Sequence, residues 1–275
     1  MEHKGKTIDV TSLLTIKNDK QKTIDKLIFS LNVGLELKGL KIDGIETPFL
    51  RDKHLVIVSD KMNFQPGDSA KVKFSYSGQI DEAYCYLDIE EETMQEKYGK
   101  FVLNVDKRYA FIEPNFVLLT SEANWYPKTG VTYSTKDVSW YQPQFVNYTL
   151  RVKTTDGLQA ISQGKVSEVS AGEFTFENET PLTQLSLTIG NYKHKMIEQD
   201  SVEFGIWYFD GHDYFSEVFP ESKDTLSTVI AEQFEDFQRT YNLEYNSSRL
   251  SLVEVPAQFK TYERMWTSVQ LAVQP

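Results

Sequence analysis

The sequence predicts a mainly β protein, an antiparallel β-sandwich or saddle followed by one helix and a further strand. Three observations carry that reading. Between Lys71 and Tyr76, the apolar Val72, Phe74 and Tyr76 alternate with Lys71, Lys73 and Ser75, the period of a strand with one buried face. Strand-like runs recur at close spacing between turn signals such as Asn18-Asp19, Asp43-Gly44 and Pro66-Gly67-Asp68. Only after Pro220 does a spacing of three and four replace the spacing of two.

Taken in order, residues 6–77 offer strands at Thr11–Ile16, Lys26–Leu37, Leu55–Val58 and Lys71–Tyr76, rich in β-branched and apolar residues. Nothing before residue 80 has helical spacing. Residues 81–114 are less regular. There Cys85, between Tyr84 and Tyr86, reads as a small buried strand residue. Glu90-Glu91-Glu92 reads as a solvated loop or the first turn of a short helix, since adjacent side chains point apart. Strand character returns at Phe101–Val105 and Tyr109–Ile112.

The stretch Asn115–Gly130, NFVLLTSEANWYPKTG, is the most distinctive. An apolar run feeds a polar turn, and then Trp125 and Tyr126 stand directly before Pro127. Proline removes a backbone donor and biases Tyr126 to extended geometry, so the two aromatics sit on a rigid corner rather than a helix. A corner of this kind either packs into a core or presents a surface.

Beyond it, Asn147–Lys153, Leu158–Glu168, Glu173–Asn178, Thr183–Gly190 and Val202–Phe209 are strand-like. Asp156-Gly157 and Ala171-Gly172 read as hairpin turns. After Pro220, Ser222 or Asp224 can cap a helix over about 224–242. Its apolar positions are Leu226, Val229, Ile230, Phe234, Phe237 and Tyr241. A strand over about 250–255 then ends before Pro256.

Composition narrows the partners. A net charge of −11 and a pI near 5.0 argue against nucleic acid or an anionic membrane surface, which need clustered Lys and Arg. No apolar run of ~18 residues occurs, and the N-terminus carries no apolar signal core. The single cysteine excludes an internal disulfide and a cysteine zinc cluster. His3, His54, His194 and His212 include no pair at i, i+3 or i, i+4, so no helical zinc motif is present. Asp210-Gly211-His212-Asp213 could supply ligands but reads first as a turn. No nucleophile elbow, phosphate loop or dinucleotide fingerprint occurs. Asn147, Asn178 and Asn246 open glycosylation sequons that matter only in a eukaryotic secretory protein.

Trp125-Tyr126-Pro127, placed after strands of this type, resembles the aromatic-Pro segment of the amino-terminal domain of the aminopeptidase N family of zinc metallopeptidases (gluzincins). Further segments agree in order. Tyr148–Val152 followed by Leu158–Gly164 is similar to the family's strand, turn and strand ending in Ser-x-Gly. Phe174-Thr175-Phe176, leading through Pro181-Leu182 to Leu187–Tyr192, is similar to its next stretch. Leu250-Ser251-Leu252-Val253-Glu254-Val255-Pro256 matches the strand that opens the family's catalytic domain.

The resemblance implies a saddle-like β domain over 1–212 and, over 213–275, the helix-strand start of a truncated α/β peptidase domain. It implies no catalytic residue and no metal ligand in this chain, with zinc belonging to a downstream domain. The expected role is to wall the substrate cleft and gate peptides, with Glu122 carried over as the side chain that meets a substrate amine, beside Trp125 and Tyr126. Expected partners are the downstream peptidase-like domain, a peptide, and a second copy through the exposed helix.

One departure stands out: Ala257–Glu263 replaces the Gly-x-Met-Glu-Asn loop of active members. In that respect the chain resembles the divergent peptidase domains fused to bacterial ABC transporter permeases, on Trp125-Tyr126-Pro127, Arg264-Met265-Trp266 and Gln274-Pro275. That variant implies an extracytoplasmic scaffold or interaction module without peptidase activity, associated with the membrane through the rest of the protein.

Overall fold

The computed structural model describes residues 1–59, 62–86, 110–132, 144–155, 157–199, 202–213, 222–242, 247–258 and 266–274. Two compact units divide the chain: Met1–Asn104 with Arg108–Gln144, and Val105–Lys107 with Phe145–Pro275.

In the first unit, alternation builds the largest sheet. Strands β1 (Glu2–Lys4), β2 (Thr7–Lys17), β3 (Leu27–Ser30), β4 (Leu35–Ile42), β5 (Ile45–Glu46), β6 (Leu50–Asp52), β7 (Leu55–Val58) and β8 (Ser69–Gly78) follow one another. β1, β2, β8, β4 and β5 lie side by side in that order. In β8, Ala70, Val72, Phe74 and Tyr76 are buried while Lys71 and Lys73 face solvent, as the sequence predicts. Asp43 (φ 49) and Gly44 (φ 85) make the two-residue turn of the β4–β5 hairpin, which requires positive φ at both positions.

A second sheet of this unit runs β11 (Lys128–Thr129), β3, β7, β6. Phe29 of β3 meets Phe74 of β8 edge-on at 5.0 Å, so the inner faces of the two sheets close on each other. The hairpin of β9 (Ala110–Ile112) and β10 (Val117–Leu119) is buried on both faces and delivers the chain to Thr120.

The second unit holds β12 (Thr149–Lys153), β13 (Gln159–Ser162), β14 (Lys165–Ser170), β15 (Glu173–Glu177), β16 (Leu187–Gly190), β17 (Tyr192–Gln199) and β18 (Val202–Phe209). Helix α1 (Ser222–Tyr241) follows, then β19 (Arg249–Gln258) and β20 (Trp266–Gln274). β14, β15 and β12 are neighbours, β13 pairs with β16, and β17-β18-β19-β20 form a third sheet. β18 and β19 are parallel, which needs a crossover, and α1 supplies it. Phe234 of α1 meets Phe204 of β18 edge-on at 5.4 Å, so this face of the helix packs on the sheet. Among the described residues no helix is long and apolar enough to cross a membrane.

The mainly β architecture with antiparallel sheets and one late helix is the predicted class. Several details differ. Lys26–Leu37 and Leu158–Glu168 are each two strands, and glycines explain both breaks. A Cβ on Gly164 (φ +85) would lie 2.3 Å from the Glu177 oxygen, and one on Gly34 would lie 2.4 Å from the Gln79 oxygen. β12 and β13 do not form a hairpin with each other, because β12 pairs with β15 and β13 with β16; Asp156 lies outside the described residues. There the Thr154 hydroxyl donates to the Leu158 oxygen at 2.9 Å and turns the chain between sheets.

Cys85 lies in a 3₁₀ turn, Glu82–Tyr86, rather than a strand; Asp81 accepts the Ala83 N–H at 3.0 Å and starts the turn. β19 continues past Pro256 to Gln258, where its register against β20 shifts between Val255 and Pro256. β18 has ended by then, so the missing N–H of Pro256 breaks no ladder on that side. Ala171-Gly172 does close the β14–β15 hairpin. The expected loop at Glu90–Glu92 and strand at Phe101–Val105 lie outside the described residues, as do Tyr109, the side chains of Leu226, Val229 and Ile230, and most of Ala257–Glu263.

Candidate functional site

The corner after β10 is a short 3₁₀ turn, Ser121–Ala123, ended by Asn124 in the left-handed region (φ 47, ψ 45). Asparagine is among the few residues that visit this conformation at modest cost. Its N–H donates to the Ser121 oxygen at 3.1 Å and reverses the chain into Trp125. Pro127 is buried and Lys128 opens β11.

The three residues singled out from the sequence occupy different depths. Trp125 is 1% exposed, the largest fully buried side chain described. Its carbonyl accepts the Tyr76 hydroxyl at 3.1 Å, and burial holds that phenol well above its ordinary pKa. Tyr126 is half-buried and meets the Trp125 ring edge-on at 5.2 Å. Glu122 is exposed at the outside of the turn.

Polar side chains lock this corner from behind. Asn32 donates through Nδ2 to the Ala123 oxygen (2.9 Å) and the Asp81 oxygen (3.0 Å). Its Oδ1 accepts from the Gly34 and Asp81 amides, and its own N–H donates to the Asn124 oxygen at 2.9 Å. Asn124 Nδ2 donates to Tyr84 and Thr132, which are themselves hydrogen-bonded at 3.0 Å. Arg51 braces Leu31 and Asn32 through their carbonyls at 2.9 and 2.8 Å. Burial lowers the Arg51 pKa; burial and then the Arg51 charge lower that of His54, whose ring meets Tyr84 edge-on at 5.4 Å.

Sequence reasoning missed Lys128. Its Nζ donates to the Ser121 oxygen at 2.5 Å and lies 5.2 Å from the centre of the Tyr126 ring, so one cation ties the turn to the half-buried aromatic. The available signal was a cation two residues beyond an aromatic across a fixed proline bend. Asn32, far away in sequence, carried no signal at all.

Asp210-Gly211 forms a turn, with the His212 N–H on the Phe209 oxygen at 2.9 Å. His212 Nδ1 pairs at 2.7 Å with Glu254, whose other oxygen accepts the Phe209 N–H, and Asp213 pairs with Lys195 at 2.8 Å. The remaining histidines are dispersed: His3 on the Gly5 and Glu113 oxygens, His194 stacked at 4.7 Å on Trp207, His54 against Tyr84. Among the described residues no group of three or more His, Cys, Asp or Glu could hold a metal ion. These residues do not fit a zinc ion.

Solved structures share this fold. The M1 zinc metallopeptidase of Deinococcus radiodurans matches with a TM-score of 0.62 at 14% identity, over 94% of this chain and 55% of that one. Over that matched part the chain shares its fold with M1 zinc metallopeptidases. A mutant of the Deinococcus enzyme bound to a Tyr-Ser-Ala substrate matches with a TM-score of 0.59, again at 14% identity and over 94% and 55% of the two chains. Aminopeptidase A of Legionella pneumophila, in complex with aspartic acid, matches with a TM-score of 0.60 at 12% identity, over 90% of this chain and 27% of that one. The M1 likeness is one of fold, and the chain spans about half the length of the Deinococcus enzyme. No family model and no curated protein matches the chain.

Proposed function

We propose that this chain is the non-catalytic amino-terminal portion of a zinc-aminopeptidase-like protein, and that its 120–128 corner walls a peptide cleft. The observation that carries the proposal is the depth profile of that corner. Trp125 is the buried anchor, Asn32 and Asn124 hold the turn, and Glu122 and Tyr126 are what remains to meet a ligand. A rigid scaffold under a few outward groups suits substrate positioning. Glu122 would pair with the free ammonium of a peptide, Tyr126 would pack beside it, and Trp125 would act through them as support. Zinc, the general base and hydrolysis would belong to a downstream domain. The Tyr-Ser-Ala substrate of the Deinococcus mutant supports peptide as the ligand class.

The gene beyond the Pro275 codon is the first test. His-Glu-x-x-His with a third ligand downstream sustains the peptidase reading. A peptidase-like region with those ligands replaced favours instead the extracytoplasmic scaffold attached to a transporter permease. With an active protein in hand, Glu122→Gln is expected to raise KM for free-amine peptides roughly 10- to 100-fold, the worth of one charge-assisted hydrogen bond. N-acetylated peptides would be unaffected. Equal effects on both would remove Glu122 from the site.

A further inference from the structure

The outward face of the β2-β8-β4 sheet has one end where charges are paired and one where they are not. At one end Asp9 lies between Lys4 (2.6 Å) and Lys38 (3.4 Å), and the hydrogen bond from Lys4 holds its carboxyl below the usual range. At the other end the lysines accumulate. Leu13 lies opposite Lys73, and Lys73 opposite Lys41, a row across three strands. One row on, Thr15 lies opposite Lys71, and Lys17 follows opposite Ser69. Like charges directly opposite on neighbouring strands oppose pairing.

Compensation at this end is slight. Lys41 reaches Glu46 at 2.8 Å, a pair in which both side chains are solvated. Asp43 uses Oδ1 to accept the Lys71 backbone N–H at 2.8 Å. Among the described residues no carboxylate lies within ion-pair distance of Lys71 or Lys73. On a chain of net charge −11, Lys41, Lys71 and Lys73, with Leu13, Thr15 and Asp43, line a shallow open depression of about 530 Å³. Leu13, 65% exposed, supplies its apolar part.

We propose that this depression is a docking surface for an extended acidic peptide. Lys71 and Lys73 recur at roughly 7 Å along their strand, the repeat of alternate side chains in a second extended chain, so carboxylates two residues apart would meet them in register. Leu13 then takes an apolar side chain beside them. Among the described residues no aromatic ring lines the depression, so a nucleic acid or neutral sugar would lack its stacking platform. Lysine ammonium groups, as compact point charges, suit single carboxylates. The surface is independent of the 120–128 corner and needs no zinc.

The experiment uses the full chain and a fluorescent, end-blocked hexaglutamate, with hexaglutamine as the neutral control. Hexaglutamate is expected to bind with an affinity that falls as salt rises, and hexaglutamine is not. The double substitution Lys71→Glu/Lys73→Glu should weaken binding at least tenfold, Lys71→Arg/Lys73→Arg should preserve it, and Lys4→Glu/Lys38→Glu at the paired end should change it less than twofold. Thermal unfolding of each variant confirms that the sheet is intact. Equal weakening from both ends, or no binding of hexaglutamate at low salt, would overturn the proposal. So would tighter binding of a sulfated oligosaccharide of equal charge, since the surface would then be a glycan site.

Discussion

The corner at 115–130 and the helix α1 are both aromatic-rich, yet they finish differently. The corner puts Trp125 at 1% exposure and ties the backbone around it to the Asn32 amide and the Tyr76 hydroxyl. The helix packs Phe234 on Phe204 but leaves Phe237 56% and Tyr241 61% exposed, against each other at 4.8 Å. A proline bend preceded by a left-handed residue fixes one direction for each side chain. A helix fixes only a face, and that face needs a second surface to be complete. The corner is therefore finished within its unit, and the far turns of the helix are not.

The largest expected effect breaks the corner. Trp125→Ala should cost about 3–5 kcal/mol, the range for large buried aromatics, seen as a lowered denaturation midpoint. A loss below about 1 kcal/mol would mean that the corner is peripheral and the comparison fails. Next comes Asn32→Ala, at about 2–3 kcal/mol, because the Gly34 and Asp81 donors and the Ala123 acceptor lose their partner in a buried setting. A smaller step follows in the other region. Phe234 is half-buried, so Phe234→Ala should cost about 1–2 kcal/mol.

The parts of this molecule that obey a short period could be read from sequence, and the parts that depend on distant contacts could not. Val72, Phe74 and Tyr76 announced β8, and Phe234 with Phe237 announced α1, because each repeat lies within a few residues. Asp43-Gly44 announced a turn because the positive φ is local, though not the short β4–β5 hairpin it closes. The breaks at Gly34 and Gly164 were hidden, since the atoms that forbid a Cβ come from Gln79 and Glu177. At the candidate site the proline bend was legible, but Trp125 offered both a core reading and a surface reading. What holds it in place includes the Tyr76 hydroxyl on its carbonyl, from nearly fifty residues earlier.

Charge sharpens the contrast between the two regions. The corner is held mostly by neutral amides and hydroxyls, whereas the entry to β19 is held by a carboxylate. Glu179 accepts from the Ser248 N–H (2.8 Å) and hydroxyl (2.7 Å) and pairs with Lys165 at 2.9 Å. The Ser248 N–H first, then Lys165 and the Ser248 hydroxyl, lower its pKa from the ordinary 4.5 to about 2. A carboxyl with a depressed folded pKa adds stability above its unfolded value and loses it as pH falls through the folded one. The bracket is therefore complete above pH 4.5 and disappears toward pH 2. Protection of the β19 amides, taken relative to the intrinsic exchange rate at each pH, should fall across that window while protection at Ala123 and Asn124 stays level. Glu179→Gln should flatten the response of β19, and an unchanged response would remove the bracket from the account.

The smallest expected effect is the most discriminating for α1. Phe237→Ser removes an exposed ring that touches chiefly Tyr241, so the stability of the isolated chain should change by less than about 0.5 kcal/mol. The difference from Phe234→Ala, three residues earlier on the same helix, measures how far the packed face extends. If Phe237 and Tyr241 meet a second copy, sedimentation of the unsubstituted chain at rising concentration will show self-association, and Phe237→Ser will abolish it. If the ring meets only a downstream domain, both chains will sediment as monomers, and the substitution will matter only in the longer protein. A cost as large as that of Phe234→Ala in a monomer would show that the ring already packs within its unit, and the contrast with the corner would close.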